Sequence, residues 1–279
     1  MISIITAIYN QLSMNKLYYE SLKHATDGEW ELIVVDNGST DGSAEWFEQC
    51  GGNVRVIRNG KNFSYPYCQN VGIKNAKGDV LAFLNNDILL SPHWDSRVME
   101  VLGKEGYEIL SLCSNMRMPE KKEAKRACRR WKWIKNPLLF VFDASEWSLR
   151  LMTRLYYGND FDSYCEQHWL RYGKNIKPGF PASGSAVIMS RRGLTMIGGG
   201  WDPTQQNADY DLYLQTKQLH DSGANIQPLS MVCGIYHHHY SRLTFNQTYP
   251  PYADEANLKE CEDKWGEEMM RQTIQELKR

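Results

Sequence analysis

The sequence predicts an α/β fold in which a mostly parallel central sheet is flanked by helices. Three observations favour it. Short, β-branched apolar runs alternate with segments of helical spacing through the first half of the chain, which is the pattern of successive βαβ units. Each apolar run ends in polar residues, as strands do at a ligand-binding edge. The chain has 279 residues, of which 42% are hydrophobic, enough to bury a full core without metal or disulfide crosslinks.

Strand-like and helix-like segments follow one another in a regular order. The run 2–8 is apolar and β-branched, which is typical of a buried strand. The segment 13–25 has the spacing of a helix, and a turn-forming stretch at 37–41 precedes the next one. The further elements predicted are strand 31–35, helix 42–50, strand 54–58, helix 67–76 and strand 80–84. This order places the carboxyl ends of parallel strands at one edge of the sheet.

Composition and charge exclude several function classes. Basic and acidic side chains number 32 and 33, so this near-neutral chain is not expected to coat nucleic acid. The short apolar amino end lacks the basic start of a signal peptide, and the stretch 137–157 carries too many charges for a membrane-spanning helix. Seven scattered cysteines without a Cys-x-x-Cys pair predict free thiols in a reducing cytoplasm, not a zinc site or a disulfide framework.

Polar residues stand at the ends of three predicted strands. They are Thr6, Tyr9 and Asn10 at the first strand, Asp36 and Asn37 at the second, and Asn85, Asn86 and Asp87 at the fourth. One polar strand end is explained by turn chemistry alone, whereas three at one edge favour a polar ligand. A carboxylate and carboxamide oxygens directly after strand 80–84 suit a hard divalent ion that substrate phosphate also holds. The alternative is that this triplet forms an ordinary turn.

Four motifs in the first 87 residues occur in an order and spacing that carry a family resemblance. They are TAIYN at 6–10, VVDNGSTDGS at 34–43, the stretch from Asn62 to 70–79, and FLNND at 83–87. Together they resemble the family-2 glycosyltransferases of the GT-A fold. Two later stretches, 180–203 and 207–223, resemble the acceptor-side block of that family. The resemblance implies a GT-A-like fold and an inverting transfer of a sugar from a nucleoside diphosphate to an acceptor hydroxyl.

The resemblance implies a donor site at the polar edge of the sheet. In such enzymes the residue that matches Asp36 contacts the nucleobase and ribose, while Thr6 and Asn10 would line the same pocket. The full set expected to bind the nucleotide sugar is Thr6, Tyr9, Asn10, Asp36, Asn37, Asn62, Asn70, Asn85 and Asn86. UDP- and dTDP-sugars are favoured over GDP-sugars as donors, and the transferred group is expected to be a hexosyl or deoxyhexosyl group.

A divalent metal, Mn²⁺ or Mg²⁺, is the cofactor that the resemblance implies. It would act on the diphosphate leaving group as a Lewis acid and template. Asp87 is the expected ligand, and the first position of the family's Asp-x-Asp motif is Asn85 here, which removes one charge from the site. A late His-x-x-x-Ser pattern of relatives matches 237–241, so His237 is a further expected ligand. His239 is the alternative, on the same side of a strand.

The second half is expected to supply an acid–base group. The acceptor hydroxyl must lose its proton as it attacks, so a carboxylate is needed near the acceptor. The family's Glu-Asp-x-Asp block reads ADYD at 208–211, and Asp209 is the expected general base. The alternative is that Asp209 caps the helix that begins near Tyr210. The residues expected on the acceptor side or in its mobile loop are Gly184, Gly199, Gly200, Trp201, Asp202 and Asp211.

The sequence divides into three segments of one continuous domain. Residues 1–115 are expected to form the donor half, and residues 179–279 the acceptor half with its catalytic base. Within the acceptor half, 254–279 is expected to form a C-terminal helix. The segment 116–178 between them matches none of the family patterns and is expected to be a helical insertion.

The first part of this insertion is basic and rich in tryptophan. Residues 116–154 hold 11 basic and 4 acidic side chains, a net charge of +7, with Trp131, Trp133 and Trp147 interleaved. Such a stretch suits contact with an anionic membrane surface, here through 116–156, or with an anionic acceptor. The alternatives are a solvated helix with one face packed on the core and a contact in an oligomer.

The function predicted is that of a metal-dependent, inverting glycosyltransferase in polysaccharide biosynthesis, either free in the cytoplasm or at the inner face of the membrane. Its acceptor is expected to be a glycan or lipid-linked molecule, and no nucleic-acid partner is expected. A non-catalytic sugar-nucleotide or glycan-binding protein is the alternative that Asn85 and Ala208 favour, since both stand where relatives carry carboxylates. A nucleotidyltransferase is disfavoured because neither a glycine nor a basic residue directly follows the first strand.

Overall fold

The predicted strands form one half of a central sheet in the computed structural model. The structure describes residues 1–158, 160–178, 184–241, 243 and 249–278. Nine strands belong to this sheet within the described residues. They are β1 (Ile2–Ile8), β2 (Trp30–Asp36), β3 (Val54–Arg58), β4 (Val80–Leu84), β5 (Ile88–Leu90), β6 (Ile109–Ser114), β7 (Ile176–Lys177), β8 (Ala186–Ser190) and β9 (Ser230–His239). The α/β fold with a central sheet between helices is confirmed.

Helices cover both faces of the sheet. They are α1 (Leu12–Ala25), α2 (Ser43–Cys50), α3 (Tyr65–Asn75), α4 (Trp94–Met99), α5 (Lys121–Phe142), α6 (Glu146–Tyr157), α7 (Phe161–Tyr172), α8 (Arg191–Met196), α9 (Ala208–Asp221), α10 (Cys261–Trp265) and α11 (Glu267–Lys278), with a 3₁₀ helix at Glu255–Asn257. The three helices and four strands predicted in the first 84 residues all form, each within two residues of its predicted bounds. The insertion is helical, as predicted.

The sheet is parallel in its first half and mixed in its second. Its strand order is β3-β2-β1-β4-β8-β6-β9-β5, with β7 also paired to β9. The pairs among β3, β2, β1 and β4 are parallel, whereas β8 runs antiparallel to both β4 and β6. β1 has β2 on one side and β4 on the other, so the chain changes direction across the sheet there. A crevice for ligands forms outside the carboxyl ends of strands at such a point.

Two hydrophobic cores lie on the opposite faces of the sheet. β1 contributes to both, because successive side chains of a strand point to opposite sides. Ile4 is buried with Tyr18 of α1, whereas Ile5 is buried with Cys68 of α3 and Leu212 of α9. Burial on both faces explains why the strands of the first half are continuous apolar runs without alternation.

The insertion is anchored on β9. Trp131 of α5 is buried, and its indole Nε1 donates to the backbone oxygen of Tyr240 at 3.0 Å. Its ring meets the His238 ring edge-on at a centroid distance of 4.3 Å. Tyr157 of α6 shares a 2.8 Å hydrogen bond with His238 Nδ1. Two of the insertion's helices therefore pack on one buried histidine. None of the described helices combines the length and the apolar character needed to cross a membrane.

The C-terminal segment departs from the single helix predicted over 254–279. Gly266 has a φ of 80° and separates α10 from α11, a backbone conformation that ends a helix and favours glycine. α10 is held by Asp211 of α9, which accepts from Lys264 Nζ at 2.7 Å and from Trp265 Nε1 at 2.8 Å. The break therefore lets a short helix dock on α9, which a continuous helix would not permit.

The burial of Trp131 predicts a large loss of stability when its side chain is removed. We expect Trp131→Ala to lower the free energy of unfolding by about 3–5 kcal/mol, because it leaves a cavity against β9 and an unpaired carbonyl. Trp133→Ala is the matched control, since Trp133 is 76% exposed on the same helix, and it should change stability by less than about 0.5 kcal/mol. Urea unfolding monitored by circular dichroism measures both, and equal losses would contradict the anchoring role of Trp131.

Candidate active site

A cavity of about 660 Å³ lies at the carboxyl edge of the parallel strands. Five of the residues predicted at the donor site line it, namely Tyr9, Asn37, Asn62, Asn86 and Asp87. They come from four separate stretches of sequence, and the parallel strands bring them together. The cavity is closed on its other side by residues 249–252, which the sequence analysis did not assign to the site.

Aromatic rings and one hydrogen-bond network form this outer wall. The ring of Tyr249 lies 5.3 Å from that of Tyr9 in a tilted arrangement. Asn62 Nδ2 donates to the backbone oxygen of Pro250 at 2.7 Å. The carboxylate of Asp254 accepts from the backbone N–H of Ser64 at 2.9 Å and from the hydroxyl of Ser64 at 2.5 Å. These bonds join the wall to the loop that follows β3.

Several predicted donor residues support the loops around the cavity. Asn10 has a φ of 57°, and its Oδ1 accepts from the backbone N–H of Thr40 at 2.7 Å. Asp36 Oδ1 accepts from the backbone N–H of Ser39 at 3.0 Å. Asn37 Nδ2 donates to the backbone oxygen of Phe63 at 3.0 Å. The turns after β1 and β2 are therefore ordered by each other's side chains.

Thr6 does not line the cavity among the described residues. Its side chain is buried and shares a 2.6 Å hydrogen bond with the hydroxyl of Tyr18 on α1. The reason is the alternation of the strand, since Thr6 and Ile4 point to the same face of β1 and so into the core with α1. The structure thus gives Thr6 a place in the core. Four other predicted donor residues are also absent from the described lining of this cavity, namely Asn10, Asp36, Asn70 and Asn85.

A buried asparagine positions the loop after β4. Asn15 of α1 donates from Nδ2 to the backbone oxygen of Asn10 and to Ser43 Oγ, both at 2.9 Å. Its Oδ1 accepts from Asn86 Nδ2 at 2.7 Å. The backbone N–H of Asn85 donates to the backbone oxygen of Ser185 at 2.9 Å. Asn15 therefore connects the loops after β1 and β4. Asn15 lies in the first turn of α1 and belongs to no recognised motif, so its role could not be predicted from the sequence.

Asp87 and His239 form a close pair at the floor of the cavity. His239 Nε2 lies 3.2 Å from Asp87 Oδ1, a carboxylate oxygen that is itself buried. Burial alone would raise the pKa of Asp87, but the attraction of His239 keeps that pKa below its ordinary value. The side chain of Asn115 fixes the backbone of His239. Asn115 Oδ1 accepts from the His239 N–H at 2.8 Å, and Asn115 Nδ2 donates to the His239 backbone oxygen at 3.1 Å.

His237 occupies a different environment from His239. It is fully buried, and its Nε2 shares a 2.8 Å hydrogen bond with Ser185 Oγ. Burial, together with repulsion from His239, lowers the pKa of His237 to about 3. The geometry therefore supports His239, the alternative of the sequence analysis, as the partner of Asp87.

The Asp87–His239 pair has the donor atoms for a divalent cation, although no cluster of three or more His, Cys, Asp or Glu groups suited to a metal occurs in the described part of the chain. The carboxylate of Asp87 and the imidazole nitrogen of His239 provide two ligand atoms 3.2 Å apart. Mg²⁺ and Mn²⁺ accept oxygen ligands and commonly complete their shells with water and substrate phosphate. The residues present fit such an ion with two protein ligands.

Asp209 lies in the first turn of α9 and is not its N-cap, which is Asn207. Its Oδ1 accepts from the backbone N–H of Tyr210 at 3.0 Å. Burial raises the pKa of Asp209, and the positive charge of Arg117 opposes that rise. A Cβ on Gly184 would lie 3.1 Å from Asp209 Oδ2. The start of the block predicted at 180–203 lies outside the described residues, which resume at Gly184.

Asp209 is separate from the lining of the donor cavity. Tyr65 connects the two, because it lines the cavity and lies close enough to Asp209 to be affected by its charge. Burial and, to a lesser extent, the charge of Asp209 raise the pKa of Tyr65. Arg117 was counted in the sequence only as part of a basic stretch. Its electrostatic contact with Asp209 depends on how the insertion folds back, which no local pattern encodes.

The glycine-rich loop is held by Asn70, which the sequence analysis placed at the donor. Asn70 Nδ2 donates to the backbone oxygen of Trp201 at 2.8 Å, and its Oδ1 accepts from the Trp201 N–H at 2.9 Å. Gly199 has a φ of 87°, and a Cβ on Gly200 would lie 2.6 Å from Asn70 Oδ1. Asp202 pairs with Lys264 at 2.8 Å. Asn70 therefore positions the loop.

A second cavity of about 970 Å³ adjoins the donor cavity and lies between α1 and α5. Both cavities are lined by Gln11 and Leu243. Lys132 and Phe140 of α5 line the second one. The site thus has two compartments that meet at the turn after β1.

Comparisons with known proteins agree with this geometry. The sequence model described as glycosyl transferase family 2 matches residues 3–157. The match extends into the insertion and ends before Asp209. The uncharacterized glycosyltransferase YfnE of Bacillus subtilis is 33% identical over 116 residues, which are 40% of this chain and 29% of that protein. The matched stretches span only 12% to 38% of the lengths of eight such curated relatives.

Solved structures show the same fold at low sequence identity. A mannosyltransferase of Pyrobaculum calidifontis, PcManGT in complex with GDP-Man and Mn²⁺, has a TM-score of 0.52 and 12% identity, covering 82% of this chain and 56% of that one. Residues 1–349 of TarS from S. aureus have a TM-score of 0.52 and 15% identity, covering 84% of this chain and 59% of that one.

The close approach of Gly200 to Asn70 predicts an energetic coupling between the two positions. We expect Gly200→Ala to lower the free energy of unfolding by about 1–3 kcal/mol, because its Cβ would displace the Asn70 amide. In Asn70→Ala the obstructing atom is gone, so the double variant should lose less stability than the sum of the two single variants. Denaturant unfolding of all four proteins measures the coupling, and strict additivity would show that the loop tolerates a Cβ there.

Proposed function

Because this chain belongs to glycosyl transferase family 2, we propose that it transfers a sugar from a nucleoside diphosphate to an acceptor hydroxyl, with inversion at the anomeric carbon. The observation that carries this proposal is the Asp87–His239 pair, in which Asp87 lines a cavity at the carboxyl edge of the parallel strands. This is where anionic nucleotide ligands bind in folds of this kind.

The cavity suits a nucleotide sugar in size and lining. Its volume of about 660 Å³ falls in the range of small-molecule sites. Tyr9 and Tyr249 provide aromatic faces for a nucleobase, and Asn37 and Asn62 place amide groups beside them. We place the nucleoside at this wall and the diphosphate toward Asp87. The resemblance of the first-half motifs favours a UDP- or dTDP-sugar that carries a hexosyl or deoxyhexosyl group.

We assign Asp87 and His239 as the protein ligands of Mn²⁺ or Mg²⁺. When bound, the ion would neutralise the charge that develops on the leaving diphosphate. The neighbour from Pyrobaculum calidifontis is described in complex with Mn²⁺, which supports a metal in this fold. Asn85 in place of a carboxylate leaves the site with a single negative protein ligand. Affinity for the metal should then depend on the nucleotide diphosphate.

We assign Asp209 as the general base that takes the proton of the acceptor hydroxyl. Burial raises its pKa, which makes the carboxylate a better proton acceptor. The positive charge of Arg117 supports the ionised form. For the reaction, Gly184 leaves the carboxylate uncovered, because any side chain there would press against it.

The acceptor that we propose is a glycan or a lipid-linked molecule in polysaccharide biosynthesis. The second cavity has two cations, Lys132 and Lys135, two carboxylates, Asp41 and Asp143, and the apolar ring of Phe140 in its lining, which supports a polar acceptor with an apolar part. All seven cysteines are free thiols, which supports a reducing compartment. We therefore propose that the reaction takes place in the cytoplasm.

Donor binding predicts a metal-dependent rise in thermal stability. In a panel of UDP-, dTDP- and GDP-sugars with and without Mn²⁺, we expect the largest shift with a UDP- or dTDP-sugar plus Mn²⁺, since a ligand at 100 times its Kd adds about 2.7 kcal/mol. Asp87→Asn should abolish the Mn²⁺-dependent part. Asp79→Asn is the matched control, as Asp79 is an exposed carboxylate outside the cavity. No shift with any donor would overturn the donor-site assignment.

The raised pKa of Asp209 predicts the acid limb of the activity profile. The base acts only when deprotonated, so kcat/KM should fall as the pH drops through a pKa above the ordinary value for aspartate. Arg117→Ala removes the charge that lowers this pKa, and the acid limb should move to higher pH. Asp209→Asn should reduce kcat by about 10² to 10⁴ while donor binding persists.

The outcome of these variants separates an enzyme from a binding protein. Donor binding without turnover on any acceptor would support a non-catalytic sugar-nucleotide-binding protein. An unchanged rate in Asp209→Asn would remove Asp209 from the mechanism without affecting the donor site.

A further inference from the structure

We propose that the outer face of α5 and the turn between α5 and α6 dock the protein on an anionic lipid surface. This inference goes beyond the proposed function, since it concerns a surface outside the donor cavity and depends on neither the donor nor the metal. Two features of the described residues carry it. One is an exposed apolar tip at the α5–α6 turn, and the other is a row of basic side chains on the face of α5 that leads to it.

The apolar tip consists of Phe140, Val141, Phe142 and Trp147. Phe140 is 91% exposed and Val141 is 65% exposed. Phe142 and Trp147 are also exposed, and their rings meet at 5.1 Å across the turn. These four side chains expose apolar surface at the turn between α5 and α6. Exposed apolar surface of this extent is typical of an interaction site.

The basic row lies on the same face of α5 as Trp133 and Phe140. At 3.6 residues per turn, Lys122, Arg126, Arg129, Trp133 and Phe140 fall within an arc of about 60°. All five are exposed, while Trp131 points the opposite way into the core. Arg129 and Phe140 are separated by about 16 Å along the helix axis. One face therefore changes from cationic to apolar along its length.

The charges of this face are available for a partner. Three of its cations, Lys122, Arg126 and Arg129, are absent from every ion pair among the described residues, and so are Lys125 and Lys132 beside this face on α5. α5 holds 8 basic and 1 acidic side chains, a net charge of +7, and the rest of the chain therefore carries −8. An anionic surface would attract this helix and repel the remainder, which fixes one orientation.

A lipid surface fits this face better than a second copy of the chain does. Two copies joined through α5 would bring two rows of like charge together. At an anionic bilayer, the basic row meets lipid phosphates while Trp133 and the apolar tip enter the boundary between headgroups and acyl chains, where tryptophan is favoured. The transition along the helix from cationic to apolar suits a tilted helix with its carboxyl end inserted.

Vesicle flotation of the full chain tests this docking. We expect binding to vesicles of 70% phosphatidylcholine and 30% phosphatidylglycerol in 0.1 M salt, with little binding to pure phosphatidylcholine and release by 0.5 M salt. The double variant Trp133→Ser/Val141→Ser, which removes two exposed apolar side chains outside both cavities, should lower partitioning at least tenfold. Its matched control is Met99→Ser/Leu170→Ser, which removes exposed apolar side chains from α4 and α7.

A second pair of variants tests the charge. Arg126→Gln/Arg129→Gln should weaken binding on the order of 25-fold, since each cation near an anionic surface contributes roughly a factor of five. Lys77→Gln/Lys104→Gln is the control, with exposed cations outside α5. Donor-induced thermal shifts should be unchanged in all these variants, so a failure of docking is distinguishable from a failure of the donor site.

Three results would overturn the proposal. The first is absence of wild-type binding to the anionic vesicles, and the second is binding that none of the α5 variants alters. The third is a change of oligomeric state in the α5 variants without lipid, measured by light scattering, which would identify the face as a contact between copies.

Discussion

The strand β9 is the constraint on which the rest of the structure depends, because its last three residues are histidines that point alternately to two sides of the sheet. His239 faces Asp87 at the cavity floor, and His238 on the other side packs against Trp131 of the insertion. His237 bonds to Ser185 before β8. One strand thereby connects the candidate metal site, the insertion and the acceptor half, and a shift of its register by one residue would exchange these roles.

The fold of the first half could be predicted from the sequence because its signals are local. Each strand is an apolar run bounded by turn residues, and the meeting of Tyr9, Asn37 and Asp87 follows from parallel strand ends. Thr6 shows where these local signals fail. It lies with Ile4 in the core beside α1, and because both faces of β1 are buried, the apolar run does not show which polar residue reaches the cavity.

The remaining site residues depend on contacts between distant segments, which no local pattern encodes. The choice of His239 over His237 as the partner of Asp87 follows from the pairing of His239 with Ile88 in β5, directly after Asp87. Tyr249 reaches Tyr9 only because the chain returns to the first half at its end. In the insertion, composition predicted the basic and aromatic character, while the separation of buried Trp131 from exposed Trp133 follows from how α5 docks.

The bond from Asn62 to Pro250 joins residues 188 positions apart, and it has a consequence for synthesis. The family motifs of the first half leave the ribosome early, but the outer wall of the donor cavity does not exist until residue 250 and its neighbours have followed. A nascent chain that carries every motif of the first half therefore still lacks this wall. Under the proposed function, a nucleotide sugar would stabilise chains that include residues 249–252 more than shorter precursors.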